Sequence, residues 1–172
     1  MAVRPLKIYP DPVLRQKCKP VEEVDDEVRS LLDDLVQSMY AHRGIGLAAP
    51  QIGEPVRVAV VDVGQQEGEP DVIELVNPEI VERSDETAEY EEGCLSLPEE
   101  YETVIRPARV TVRALDREGK SIEIEADGLL ATALQHEIDH LDGRLFIDYL
   151  SRLKRSLIDK RLRKRRAERA AG

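Results

Sequence analysis

The stretch from Gly128 to Leu141 reads GLLATALQHEIDHL and is apolar on most sides of a helix, yet it carries His136, Glu137 and His140. A helix of that kind belongs inside a fold, so the rest of the chain has to be arranged around it. Asp127 stands at its start and Asp142-Gly143 at its end, as expected of a helix with an acidic N-cap and a glycine stop. His136 and His140 are four residues apart and leave one face of the helix. Two imidazoles so placed can share one cation, with Glu137 beside them as an acid or base. Burying two imidazoles and a carboxylate without a cation would be costly. Histidines hydrogen-bonded in a core remain the alternative on this helix alone.

A third ligand has to come from elsewhere, and Cys94 in Glu91-Glu92-Gly93-Cys94-Leu95-Ser96-Leu97-Pro98 is the best candidate. One thiolate with two imidazoles leaves a fourth position open, which separates catalytic from structural metal sites. Taken alone, Cys94 reads as a small buried hydrophobe, and Cys18, with no ligand partner near it, keeps that reading. Two cysteines make no disulfide framework. The segment Gly44-Ile45-Gly46-Leu47-Ala48-Ala49-Pro50-Gln51 fits a loose dinucleotide pattern, but a helix precedes it and a strand follows, the reverse of what that pattern needs. Its glycines can instead let backbone pass close to a substrate, with Gln51 offering an amide donor. The alternative is a tight turn without chemistry.

The 172 residues suit one domain with a real core, and aromatic residues are only 3%. An aliphatic core follows, and a base-stacking nucleic-acid surface is not expected. Asp25 looks like an N-cap, and Val28, Leu31, Leu32, Leu35, Val36 and Met39 recur at helical spacing up to His42. Val13–Lys17 suggests one short helical turn. Val56–Val63, Val72–Val76 and Val104–Leu115 read as strands, with Asn77-Pro78 breaking the second. Ser121–Ala126 alternates Ile122 and Ile124 with Glu123 and Glu125, so it should pair back on the preceding strand across Asp116-Arg117-Glu118-Gly119. Strands grouped between helices predict an α+β fold, with antiparallel or mixed sheets packed around the buried metal-binding helix and helices at both ends of the chain.

Charge divides along the chain. Net charge is -10, but residues 151–172 hold ten Lys/Arg against Asp159 and Glu168, a local net of +8. The remaining body holds 15 Lys/Arg against 33 Asp/Glu, a net of -18. The expected division is therefore a catalytic body over residues 1–150 and a basic helix, opened by Ser151, over residues 151–172. An acidic body repels polyanions, whereas the basic helix can attract phosphate; the alternative is a solvated helix end. No apolar run is long enough for a membrane helix, and MAVRPLKIYPDP lacks a signal core, which predicts a cytoplasmic protein without a membrane partner.

GIGLAAPQ, EGCLS and QHEIDHLDG, in this order and with these gaps, resemble the three signatures of the peptide deformylases, and the similarity runs from LKIYPDPVL to the C-terminal helix. The long final helix looks like the bacterial type I form. The resemblance implies removal of the formyl group from the N-terminal formyl-methionine of new polypeptides, with release of formate. It implies that Cys94, His136 and His140 hold one divalent metal, Fe(II) first, with Zn(II), Ni(II) or Co(II) as alternatives. It further implies that Glu137 is the acid/base and that Gln51 and the Leu95 N–H form an oxyanion hole. Substrate is expected at Gly44, Ile45, Gly46, Glu92, Gly93, Tyr101, Leu129 and Ala133. Ile45, Leu129 and Ala133 are the candidates for the methionine pocket, with ordinary core as the alternative for each. Many family members carry Arg where this chain has Tyr101. The basic helix is expected to dock on ribosomes and to be dispensable for activity on short peptides when cut after Arg155.

Two other functions are weighed against this one. An H-E-x-x-H peptidase usually takes a downstream Glu or His as third ligand, and the residues past His140 supply only Asp142, Asp148, Asp159 and Glu168. A non-catalytic ribosome-associated protein with a structural metal would need a fourth protein ligand, for which there is no candidate.

Overall fold

The computed structural model describes residues 2–171, apart from the Gln66 side chain; Met1 and Gly172, the outer ends of the two expected spans, lie outside the described residues. Ten regular elements follow in order. They are α1 (Asp26–Ala41), β1 (Gly46–Ala48), β2 (Val58–Val61), β3 (Ile73–Arg83), β4 (Thr87–Cys94), β5 (Leu97–Pro107), β6 (Val110–Leu115), β7 (Ser121–Ala126), α2 (Gly128–Leu141) and α3 (Arg152–Ala171). Short 3₁₀ turns intervene, among them Pro12–Arg15, Ala49–Ile52 and Phe146–Tyr149. One sheet runs β1-β2-β3-β6-β7 and a separate hairpin pairs β4 with β5. Every strand pair is antiparallel, so the α+β expectation holds in its antiparallel form.

The five-stranded sheet is covered on both faces. Along β2, Val58 and Val60 join Leu32, Leu35 and Met39 of α1, while Val61 turns to Ala133, Leu134 and Ile138 of α2. Side chains alternate across a strand, so a strand covered on both sides reads as an unbroken apolar run, as Val58–Val61 does. Asp25 caps α1 by accepting the Val28 N–H at 3.0 Å, as its position predicts. Asp127 stands at the N-cap of α2 without a side-chain capping bond.

Two strand expectations are corrected. Asn77-Pro78 does not end a strand: β3 continues to Arg83 through a register shift between Val76 and Glu79. Asn77 adopts φ +53°, and its side chain accepts the Val21 N–H at 2.7 Å and donates to Val21 O at 2.8 Å. A bulge thus absorbs the residue that cannot donate. The single strand expected over Val104–Leu115 is two, parted at Pro107-Ala108-Arg109. Pro107 closes the β4–β5 hairpin, and β6 then crosses to the larger sheet. The expected β6–β7 hairpin is present, with Val112 opposite Ile124.

The C-terminal helix is not a free appendage. Ile158 and Leu162 are buried with Leu14, Leu97, Val104 and Phe146. Arg161 and Arg165 grip Glu100 at 2.8 and 2.6 Å, and Arg165 also donates to Pro98 O at 2.6 Å. Asp159 accepts the Tyr9 hydroxyl. The expectation that a cut after Arg155 leaves short-peptide activity unchanged takes the helix to be free of the core, whereas here it packs on it. Losing one buried Ile or Leu side chain costs about 2–5 kcal/mol, and the cut removes both. Truncation after Arg155 should therefore lower the melting temperature clearly, whereas truncation after Arg166 should leave it nearly unchanged. Superimposable melts of the full-length and shorter proteins would show that α3 contributes nothing to the core.

Candidate metal centre

Three donors converge between α2 and the end of β4. Helical spacing on α2 puts the Nε2 atoms of His136 and His140 3.2 Å apart. Cys94 arrives where the β4–β5 register shifts after Gly93, and a bulge of this kind re-aims a side chain. Its Sγ lies 3.4 Å from His140 Nε2. The three donor atoms lie within 4.8 Å of one another. Metal–nitrogen and metal–sulfur bonds of about 2.0 and 2.3 Å give tetrahedral edges of roughly 3.3–3.6 Å, so the set is spaced as ligands of one ion.

The surroundings fit a cation as well. His136 Nδ1 lies 3.0 Å from Glu92 Oε1, which puts its proton on Nδ1 and leaves Nε2 free to bind. Burial alone would lower the proton affinity of His136, yet contact with Cys94 and the charges of Glu137 and Glu92 hold it well above the usual value. The centre therefore attracts positive charge. Burial, with repulsion from His136 and Arg106, presses His140 well below its usual value, the state in which imidazole binds metal. Glu137 is buried, and its Oε1 has no hydrogen-bond partner among the described residues. Burial pushes its carboxyl up to about 7.

The other expected residues take definite places. Gln51 sits in the Ala49–Ile52 turn, 2% exposed. Its Oε1 accepts the Ala48 N–H at 3.0 Å, which turns Nε2 towards Ser96 Oγ at 3.1 Å and Cys94 Sγ at 3.5 Å. Leu95 follows Cys94 at the hairpin tip. A Cβ on Gly44 would stand 2.7 Å from Leu95 Cδ1, and one on Gly46 2.5 Å from Glu137 Oε2. A side chain at either position would displace Leu95 or Glu137, so the segment 44–46 runs directly beside the centre. Gly93 faces Tyr101 across the hairpin, and its Cβ would stand 2.5 Å from the tyrosine ring. Tyr101 is 63% exposed. Ile45 and Ala133 meet in one apolar cluster; Leu129 stands 38% exposed in the first turn of α2. Cys18 is buried and its thiol pushed up to about 11 by burial.

Glu92 is the exception. It was expected at the substrate, but it lies buried behind His136, with both oxygens occupied. Arg106 Nη2 and His136 Nδ1 reach Oε1, and Arg106 Nε reaches Oε2 at 2.7 Å. Arg106, 4% exposed, also donates to Asp139 at 2.8 Å, and Asp139 accepts the Tyr149 hydroxyl at 2.7 Å. The sequence reading missed Arg106, Asp139 and Tyr149. One signal was available: Arg106 shares strand parity with the buried Val104, and a charge on a buried face implies a buried partner.

Fold and centre together define a mononuclear metallohydrolase-type site, with Cys-His-His donors and a buried carboxylate beside them. Residues 3–156 match the polypeptide deformylase family model. A peptide deformylase of Brucella suis is 54% identical over 172 residues, covering 99% of this chain and 98% of that one. One from Rhizobium meliloti is 53% identical over 171 residues, covering 99% and 98%. Among solved structures, peptide deformylase from Ehrlichia chaffeensis in complex with actinonin superimposes with a TM-score of 0.91 at 40% identity, covering 96% and 98% of the two chains. One from Legionella pneumophila gives 0.89 at 48% identity, covering 99% of each. The chain belongs to the polypeptide deformylase family.

Replacing Glu92 by Gln keeps its shape but removes the charge facing His136. Partners of this kind are worth about 10–100-fold in metal affinity. Competition with a chelator should show a loss of that size, with the fold retained by circular dichroism; unchanged affinity would mean that Glu92 does not support the ligand.

Proposed function

We propose that this protein removes the N-formyl group from formyl-methionyl peptides by metal-dependent hydrolysis. The observation that carries the reading is the buried Glu137 carboxylate, its Oε1 without a hydrogen-bond partner among the described residues, beside the three converging donors Cys94, His136 and His140. A divalent cation there supplies Lewis acidity and lowers the pKa of water towards neutrality. Glu137 takes the proton of the attacking water and returns it to the departing amine. The Gln51 amide, aimed by its bond to Ala48, and the Leu95 N–H receive the negative charge that grows on the formyl oxygen. The segment Gly44-Ile45-Gly46 and the Gly93–Tyr101 pair line the peptide. Ile45, Leu129 and Ala133 receive the methionine side chain. Free formate and an unblocked N-terminus result.

Fe(II) is the proposed metal, with Zn(II), Ni(II) or Co(II) able to replace it, because one thiolate and two imidazoles suit several transition metals. Glu137→Ala should keep the metal and lower kcat by about 10²–10⁴. Metal analysis alongside a formate-release assay checks both halves, and near-native turnover would remove Glu137 from the role. Since burial outweighs the opposing charges of His136 and Arg106 and raises Glu137 to about 7, and a neighbouring cation favours its carboxylate, the acid limb of kcat/KM should lie below pH 7.

The formyl substrate arises on ribosomes, which supports a cytoplasmic setting; no helix among the described residues is long and apolar enough to cross a membrane. We further propose that α3 meets the ribosome through its outward stripe of Leu153, Leu157, Lys160 and Lys164, all exposed. Arg152, Arg155, Lys160, Lys164 and Arg169 enter no ion pair among the described residues, whereas Lys154, Arg161, Arg163 and Arg165 are paired within the fold. Lys160→Glu with Lys164→Glu should abolish salt-sensitive co-sedimentation with ribosomes and leave formate release from a short peptide unchanged. Undiminished co-sedimentation would return α3 to the reading of a solvated helix.

A further inference from the structure

The loop after β2 is tied to the Gly44–Gly46 segment by a set of bonds that the catalytic reading does not use. Asp62 is fully buried. Its Oδ2 accepts the Tyr40 hydroxyl at 2.5 Å, and its Oδ1 accepts the N–H groups of Gly64 at 3.0 Å and Asp71 at 3.1 Å. One carboxylate thereby fastens both ends of residues 64–71 to α1. The loop so held delivers Gln65, whose Nε2 donates to Gly44 O at 2.6 Å and to Asp62 O at 3.2 Å. The Asp62 N–H donates to Ile45 O at 2.8 Å.

Two consecutive carbonyls of the segment are therefore held from behind. Gly44 approaches Leu95 and Gly46 approaches Glu137, so these ties fix the wall that runs between the proposed oxyanion donor and the proposed base. A wall containing two glycines has much backbone freedom to lose. Ordering it in advance lowers the cost of laying a peptide against it. The amide of Gln65 is a side-chain group that holds the Gly44 carbonyl directly.

We propose that Gln65 is a positioning residue: its amide fixes the Gly44 carbonyl and so presets the Gly44–Gly46 wall for the formylated peptide. The inference rests on the deformylase reading above. It assigns Gln65 to peptide binding and not to the chemical step, so its loss should be felt in KM.

The test uses metal-loaded full-length protein and two variants. Gln65→Met keeps the length and removes the donor; Gln65→Glu sets an acceptor against the carbonyl. Formate release from formyl-Met-Ala-Ser is followed over a concentration range, with melting temperature, metal content and amide exchange at Ile45 and Gly46 measured in parallel. KM should rise about tenfold for the Met variant and further for Glu, with kcat within about threefold. Amide exchange at Ile45 and Gly46 should quicken, while metal content and melting temperature stay near wild type. An unchanged KM in both variants, or unchanged exchange, overturns the proposal. A fall in kcat at constant KM overturns it too, by moving Gln65 to the chemical step. Absence of formate release from the wild type instead overturns the deformylase reading, and the proposal with it.

Discussion

One buried guanidinium ties the metal centre to the fold. Arg106 reaches Glu92 on β4 through two bonds and Asp139 on α2 through a third, while its own strand is β5. Its charge therefore joins the hairpin to the helix that supplies both histidines. A buried ion pair is costly to desolvate, and removing one partner costs about 3–5 kcal/mol because the other is left uncompensated. Here each partner is satisfied. Glu92 passes its remaining capacity to His136, and Asp139 passes its own to Tyr149, whose ring also lies 4.6 Å from the Arg106 guanidinium carbon. The orientation of a metal ligand thus depends on a cluster whose members lie far apart in sequence.

That dependence explains what could be read from the sequence and what could not. His136, Glu137 and His140 were legible because helical spacing fixes their relation locally. Cys94 was legible as a ligand type but not in its placement, which follows from a register shift in a hairpin. Gln51 was legible as a donor, yet the bond from Ala48 that turns its amide inward is a feature of the folded turn. Glu92 was misread because its neighbours in the chain border the centre, whereas its own carboxylate is taken up behind His136 by Arg106 and the His136 Nδ1. Strand alternation separates Glu92 from Gly93, and only the pairing of β4 with β5 says which parity faces inward.

The strand errors have the same origin. Asn77-Pro78 carries strong local turn chemistry, and the sheet accommodates it because Asn77 finds both donor and acceptor on Val21. Tertiary bonding outweighs local preference there. In Val104–Leu115 the balance runs the other way. The apolar run looks continuous, but Pro107 lacks the N–H that a further ladder bond requires, so one apparent strand serves two sheets. That split separates the hairpin carrying Cys94 from the sheet that backs α2, and it leaves the centre at their junction.

The basic C-terminal helix shows why net charge is a poor guide to free charge. Its local excess of +8 suggested a tail available to polyanions. Four of the cations are spent on Glu102, Glu100 and Asp159, and Arg166 donates to Ile8 O. The inner face is set by Ile158 and Leu162, which bury with the core that also contains Leu97, three residues after Cys94. The bonds of Arg161 and Arg165 to Glu100, and of Arg165 to Pro98 O, then hold the strand that leaves the hairpin tip. Anything that draws α3 away from the body must break those bonds, so a partner on the outer stripe can bind at little cost only by leaving the inner face seated. The two faces of one helix are therefore separate in chemistry: Ile158, Leu162, Lys154, Arg161 and Arg165 fix it inward, while Leu153, Leu157, Lys160 and Lys164 stand exposed outward.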